Sequence, residues 1–199
     1  MDPLIKSFDP RELVAAELAK ESPDWVVIER LTRKIVGDDD SRIRFTVDAG
    51  HIQRLGMELV GKQETAVSEL IKNAYDADAT FVSLDFSNTS KRGGTLVIKD
   101  DGVGMSETTI RSSWMRISTN AKAEEPSSPI YGRRRAGRKG IGRFSTQRLG
   151  ESLTLESYPR GSNEGFRVQF DWDQDFGAGT DLNDVFSSLS RFPKDSSIT

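Results

Sequence analysis

The chain has 199 residues, of which 28 are basic and 31 acidic, so its formal net charge is −3, and it contains no cysteine. This composition favours one main domain with a single core, excludes disulfides and thiolate metal sites, and gives no overall charge that would attract nucleic acid. No apolar run approaches the roughly 20 residues that a membrane span needs, and the N-terminus lacks the apolar core of a signal peptide. We therefore expect a cytoplasmic protein without membrane contacts.

Residues 1–45 are predicted to form a charged N-terminal extension ahead of a domain that covers residues 46–199. Two short helices are expected in this extension, at 10–20 and 25–36, followed by a loop rich in aspartate. The extension could pack on the domain or on a partner subunit, and a locally packed extension fits the sequence equally well.

The apolar spacing predicts one helix at 49–60 and a second that begins near Thr65. On the second helix, Glu69, Asn73 and Asp76 fall within roughly 60° of arc. The opposite, buried face is predicted to consist of Val67, Leu70, Ile71 and Ala74. A neutral amide beside a carboxylate suits a hydrated magnesium ion and an attacking water. By itself, the pattern also fits an ordinary solvated helix face.

Two strands, 81–86 and 95–99, are predicted to form a hairpin with a long connection. The second strand runs into the sequence Asp-Asp-Gly-Val-Gly-Met at 100–105. A carboxylate at the end of a strand, such as that of Asp100, can accept a hydrogen bond from an amino group. Outside this context, Asp-Asp-Gly would be a common turn.

The stretch 118–139 has two prolines, a cluster of basic residues near its end and no apolar periodicity, so we expect a mobile loop with little to anchor it. A G-x-x-G-x-G pattern at 137–142 follows, and its backbone N–H groups, with a helix behind them, suit phosphates. Alone, that pattern also occurs by chance in flexible loops. The other predicted elements are a helix starting near Ser106, a helix at 142–149, strands at 153–157 and 166–172, and a weak helix at 182–189.

In this order, the E-x-x-x-N-x-x-D-A helix, the D-x-G-x-G turn and the G-x-x-G-x-G loop resemble ATPases of the GHKL superfamily, which joins DNA gyrase, the large heat-shock chaperone, sensor histidine kinases and MutL. The resemblance covers about residues 46–175, and the segments 73–79 and 114–122 are most similar to the chaperone-like and MORC-like branch. It implies a Bergerat-type α/β fold, a two-layer sandwich whose mixed, mainly antiparallel sheet carries helices on one face. The nucleotide would lie between these helices and a lid.

The resemblance also implies a role for each motif residue. Glu69 would be the general base, Asn73 the magnesium ligand and Asp100 the acceptor of a hydrogen bond from the adenine amine. The set expected to contact ATP is Asn73, Asp76, Ala77, Asp100, Gly102, Gly104, Met105, Lys122, Gly137, Gly140, Ile141 and Gly142.

Two charged residues and one basic run are less determined by the resemblance. Asp101 is expected to remain in solvent, because Asp100 occupies the recognition position. Lys122 fits a phosphate contact and a solvated lysine equally well. The basic run 133–135 could touch phosphate, nucleic acid or an acidic partner, although a solvated surface is the favoured interpretation.

The implied function is magnesium-dependent binding and slow hydrolysis of ATP, which would drive lid closure and dimerisation in a DNA clamp or a chaperone-like switch. A sensor histidine kinase domain is the first alternative, but His51, the single histidine, does not resemble a phosphoacceptor, and the glutamate at 69 favours hydrolysis. A nucleotide-sensing module without hydrolysis is the second. Because a late Gly-Thr strand and a following transducer domain are not recognisable, we expect a fragment with weak activity in isolation.

Overall fold

The fold is described from a computed structural model, which covers residues 9–37, 45–59, 61–117, 125–137 and 142–193. Its internal contacts divide the chain into two compact units, Met1–Val47 and Asp48–Thr199.

The first unit is a helical hairpin of α1 (Pro10–Leu18) and α2 (Trp25–Gly37), and both helices were predicted. The carboxylate of Asp9 caps α1 by accepting a hydrogen bond from a backbone N–H in its first turn. Glu17 accepts hydrogen bonds from Lys20 Nζ at 2.6 Å and from the Asp24 backbone N–H at 3.0 Å. This carboxylate therefore joins the end of α1 to the start of α2.

The second unit contains helices and two antiparallel sheets. Its elements are α3 (Gly50–Leu59), α4 (Gln63–Asp76), β1 (Val82–Ser87), β2 (Thr95–Asp100), α5 (Glu107–Thr109), a π-helical turn (Ile110–Trp114), a 3₁₀ helix (Gly142–Arg148), β3 (Ser152–Ser157), β4 (Glu164–Asp171), α6 (Trp172–Asp175), a 3₁₀ turn (Leu182–Asp184) and β5 (Leu189–Pro193). β1 pairs with β2, and β4 lies between β3 and β5. The predicted class of helices with a mainly antiparallel sheet is confirmed. Among the described strands, every ladder is antiparallel.

The core of this unit is built on β4. Phe166, Val168 and Phe170 alternate along the strand and are all buried, as the two-residue period of a strand requires. Trp172 continues the cluster and stacks on Phe170 with ring centroids 5.5 Å apart. Ile52 of α3 is also fully buried and belongs to the same cluster. Burial of each such side chain contributes about 1.5–3 kcal/mol, so the core holds α3 against the strands.

The end of the described chain differs from the prediction. In place of a weak helix at 182–189, the 3₁₀ turn Leu182–Asp184 is followed by a strand, Leu189–Pro193. This strand adds to the edge of β4, from Glu164 opposite Pro193 to Val168 opposite Leu189. Pairing with an existing strand edge, a tertiary interaction, overrides the weak helical pattern of this segment.

The buried side of α4 agrees with the prediction only in part, since Ala74 is buried as expected. Its buried residues are Ala66, Ala74 and Asp76, whereas Ile71, expected in the core, is exposed. α4 packs against the 3₁₀ helix, and the predicted α-helix at 142–149 is replaced by that tighter 3₁₀ helix, Gly142–Arg148. The small side chains of Ala66 and Ala74 allow the two helices to approach closely. The buried carboxylate of Asp76, at the end of α4, needs hydrogen-bond partners.

Candidate functional site

The turn at 100–105 begins where β2 ends. One carboxylate oxygen of Asp100, Oδ1, accepts a hydrogen bond from the Gly102 N–H at 3.0 Å. The next residue, Val103, donates its N–H to the Ala77 carbonyl oxygen at 2.8 Å, which joins the turn to the end of α4. A Cβ at Gly102 would lie only 2.8 Å from that same carbonyl oxygen. This position therefore needs glycine for a steric reason.

The other side of the turn lies against the connection between β3 and β4. Gly104 has a φ of +69°, and a Cβ there would lie 2.1 Å from the Tyr158 carbonyl oxygen. Met105 donates its N–H to the Ser157 hydroxyl at 2.7 Å, and the Arg160 N–H donates to the Val103 carbonyl at 2.8 Å. The turn is thus held from both sides by groups that lie far apart in the sequence.

Asp101 is exposed but is more than a solvated neighbour of Asp100. Its carboxylate accepts hydrogen bonds from the Thr80 hydroxyl and N–H and from the Phe81 N–H, the last at 2.8 Å. The hydrogen bond from the Thr80 hydroxyl, aided by the backbone N–H groups, holds the pKa of Asp101 below its ordinary value. Asp101 is in solvent as expected, and in addition its side chain ties the segment before β1 to the end of β2.

Asp76 connects α4 to the glycine pattern. Its carboxylate accepts hydrogen bonds from the backbone N–H of Ala136 at 2.7 Å and of Gly137 at 3.2 Å. Asp76 is only 6% exposed, and these two N–H groups supply hydrogen-bond donors that a buried carboxylate requires. Asp76, one of the residues expected to contact ATP, thus contacts the first glycine of the predicted phosphate loop.

Asp78, two residues after Asp76, anchors the segment 125–137, which ends at Gly137. It has a left-handed backbone (φ +63°), and its carboxylate accepts hydrogen bonds from the Ser128 hydroxyl and from the N–H groups of Ile130 and Tyr131. Burial raises the pKa of Asp78, but the hydrogen bonds from Ser128, Ile130 and Tyr131 together outweigh it and leave the pKa below its ordinary value. The expectation of a loop with little to anchor it is therefore wrong for residues 125–137.

The basic run 133–135 is also less solvated than expected. The Arg133 guanidinium lies between the rings of Tyr75 and Tyr131, 5.0 and 4.7 Å from their centroids, and donates to the Ala79 carbonyl at 2.6 Å. Arg135 pairs with Glu125 at 3.1 Å. Among these three arginines, Arg134 is the exposed one.

Glu69 lies next to the last glycine of the pattern. A Cβ built on Gly142 would lie 3.1 Å from Glu69 Oε2, while Glu69 Oε1 accepts a hydrogen bond from Lys72 Nζ at 2.8 Å. The predicted base and the predicted phosphate loop are therefore neighbours. Lys122, Gly140 and Ile141 lie outside the described residues.

Arg143 was not singled out by the sequence, although it follows the glycine pattern directly. It is buried, and burial lowers the pKa of its guanidinium to about 10. The guanidinium donates to the carbonyl oxygens of Ser113 and Arg116 and lies over the ring of Phe144 at 4.8 Å. These contacts join residues 113–116, around the end of the π-helical turn, to the start of the 3₁₀ helix. A cation next to carbonyls at the end of a helical turn is electrostatically favourable.

One broad, open cavity is lined by most of the predicted site residues. They are Glu69, Asn73, Asp76, Ala77, Asp100, Gly102, Gly104, Met105, Gly137 and Gly142. In the part of the chain that the structure describes, no cluster of three or more His, Asp or Glu side chains could hold a metal ion. Asn73 is among the lining residues whose side-chain oxygen could bind a cation together with oxygens from a ligand and water.

Comparison with known families agrees with this geometry. A family model described as "Histidine kinase-, DNA gyrase B-, and HSP90-like ATPase" matches residues 61–191, more than half of the chain. The chain belongs to this family. Its members are GHKL-type ATPases, so the predicted superfamily is confirmed, and the domain is an ATP-binding domain. A search of curated protein sequences finds none that matches the chain. Each helix within the described ranges is too short or too polar to cross a membrane.

Proposed function

We propose that this GHKL domain binds ATP with magnesium, hydrolyses it slowly, and uses the cycle to close the segment 118–139 and to bring two copies of the protein together. The observation that carries the proposal is the shared cavity, which is lined by Glu69 and Asn73 of α4, by the turn at 100–105 and by the glycines at 137 and 142. A DNA or protein client would then respond to this switch.

The base side of the cavity fits an adenine ring. Asp100 uses one oxygen for the Gly102 N–H in the described contacts, and its second oxygen can accept a hydrogen bond from an exocyclic amine. Gly102 and Gly104 lack side chains where the neighbouring backbone leaves no room for one, and Met105 provides an apolar wall. These features support Asp100 as the residue that selects the base.

The phosphate side fits a triphosphate with a cation. Bound magnesium would neutralise phosphate charge and orient the transferred group. Asn73 supplies a neutral amide oxygen for it, and Glu69, one turn earlier on α4, would accept a proton from the attacking water. The N–H groups of the loop at 137–142 would donate to phosphate oxygens.

The base-binding part is tested by calorimetry with magnesium-ATP. Asp100→Asn presents an NH₂ group where an acceptor is needed, so we expect a loss of about 1–3 kcal/mol, roughly 5- to 150-fold in affinity. Asp85→Asn is the matched control, because this exposed carboxylate lies on the same hairpin, on β1. Equal affinities for Asp100→Asn and the parent would remove Asp100 from the site.

The hydrolytic part is tested by single-turnover kinetics in the intact protein. Glu69→Ala should retain ATP binding and lose hydrolysis, whereas Asn73→Ala should bind more weakly and with less dependence on magnesium. ATP binding without any turnover that depends on Glu69 would instead support a nucleotide-sensing module. Phosphate transfer to a histidine-containing partner would support a kinase.

A further inference from the structure

The two carboxylate oxygens of Glu69 have different surroundings. Oε1 is 2.8 Å from Lys72 Nζ, the distance of a charge-assisted hydrogen bond. Oε2 is directed towards Gly142, since a Cβ at that glycine would lie 3.1 Å from it, and none of the described residues donates a hydrogen bond to Oε2. One oxygen is thus held by Lys72, and the other lies beside Gly142.

A partly exposed glutamate can rotate about three side-chain bonds, so its carboxylate has no fixed direction by itself. A general base needs one oxygen within hydrogen-bond reach of the water it deprotonates. An ion pair to the second oxygen restricts the rotation and leaves the first oxygen in a defined place. Lys72 is three residues after Glu69, which places both on one face of α4.

We propose that Lys72 is a positioning residue for ATP hydrolysis: it holds Oε1 of Glu69 so that Oε2 receives the proton of the attacking water beside Gly142. This inference rests on the proposed function, in which Glu69 is the base. Lys72 itself need not touch ATP, so its removal should slow the chemical step and leave ATP affinity unchanged.

The competing explanation is an ordinary ion pair on a helix, which contributes little to stability and nothing to catalysis. The chain offers a matched control for that explanation. Lys20 and Glu17 have the same spacing, with Nζ 2.6 Å from the carboxylate, and they lie in the first unit.

The experiment measures ATP affinity by calorimetry and hydrolysis by single-turnover kinetics in the intact protein. Lys72→Met should lower the single-turnover rate roughly 10- to 100-fold, as a misplaced catalytic group does, with an ATP Kd within about threefold of the parent. Lys72→Arg keeps the charge and the donor, so it should return the rate to within about fivefold. Lys20→Met should leave both quantities unchanged, and melting temperatures show that the variants are folded.

Three outcomes would overturn the inference. If Glu69→Ala abolishes hydrolysis but Lys72→Met stays within about twofold of the parent, the proposed function stands and only the role of Lys72 fails. If Lys72→Met weakens ATP binding and slows hydrolysis by the same factor, Lys72 acts in binding ATP and not in positioning Glu69. If Glu69→Ala hydrolyses ATP at the parental rate, the proposed function fails and the role of Lys72 fails with it.

Discussion

The turn at 100–105 and the segment 125–137 both contact the end of α4, but different chemical groups hold them. The carboxylates of Asp100 and Asp101 act at the start of the turn. Beyond them, the turn depends on backbone hydrogen bonds and on glycines packed against carbonyl oxygens, such as Gly104 against Tyr158. The segment is held by two carboxylates, Asp76 and Asp78, which accept four backbone N–H groups and a hydroxyl. Backbone packing is insensitive to charge, whereas a carboxylate anchor can be removed by one substitution or one proton.

This difference agrees with the role of each region in the proposed cycle, in which the turn binds adenine and the segment 125–137 belongs to the lid. A pocket for adenine benefits from a fixed geometry, because preorganised groups lose little freedom on binding. A lid must exchange one set of hydrogen bonds for another, and phosphate oxygens can replace carboxylate oxygens as acceptors for the same N–H groups. The comparison predicts that side-chain substitutions release the segment 125–137 while leaving the turn in place.

The largest effect is expected from Gly104→Ala. The new Cβ would overlap the Tyr158 carbonyl oxygen, and a positive φ of +69° is strained for alanine. Overpacking and left-handed strain together should cost about 2–5 kcal/mol of unfolding free energy, with loss of ATP binding. Chemical denaturation and calorimetry measure the two quantities.

Gly132→Ala is the control within the segment. Gly132 has a similar φ of +62°, but no atom lies within 4 Å of a Cβ built there. Only the strain remains, so we expect a cost of about 1–2 kcal/mol and unchanged ATP affinity. Equal destabilisation by the two substitutions would show that steric packing does not hold the turn.

A smaller, local effect is expected from removing the carboxylate anchors. In Asp78→Ala, the amides of Ile130 and Tyr131 lose their acceptor and should exchange with solvent faster. In Asp76→Ala, the same should occur for Ala136 and Gly137. Amide hydrogen exchange resolved by residue measures both variants, and each serves as the control for the other. Uniform acceleration across the second unit would mean that the aspartates support the whole fold.

The smallest effect is expected from acid. Because the pKa of Asp78 is lower in the folded protein than in the unfolded chain, its contribution to stability is complete above about pH 4. It is lost as the pH falls through the folded-state value. Protection of the amides of Ile130 and Tyr131 should therefore decline on acidification before that of Val103, whose acceptor is a backbone carbonyl. Simultaneous loss of all three would contradict the comparison.

Short-range patterns in the sequence were enough to predict α4, the β1–β2 hairpin and the order of the three motifs. Their signals are local: helical spacing for Glu69 and Asn73, strand alternation up to Asp100, and glycines close together in the chain. The same locality explains the failures. Ile71 was assigned to the core because spacing shows that a helix is amphipathic without showing how far its apolar face is covered.

The remaining features depend on residues that the fold brings together from distant parts of the chain. Asp76 meets Ala136 across 60 positions, Asp78 meets Ser128 across 50, and β5 becomes a strand because β4 offers it an open edge. A carboxylate can accept hydrogen bonds from any donor that packing brings near, so its type and spacing do not identify its partner. Composition and periodicity therefore predict the motifs of the candidate ATP site, whereas the anchoring of the segment 125–137 follows from how α4 packs.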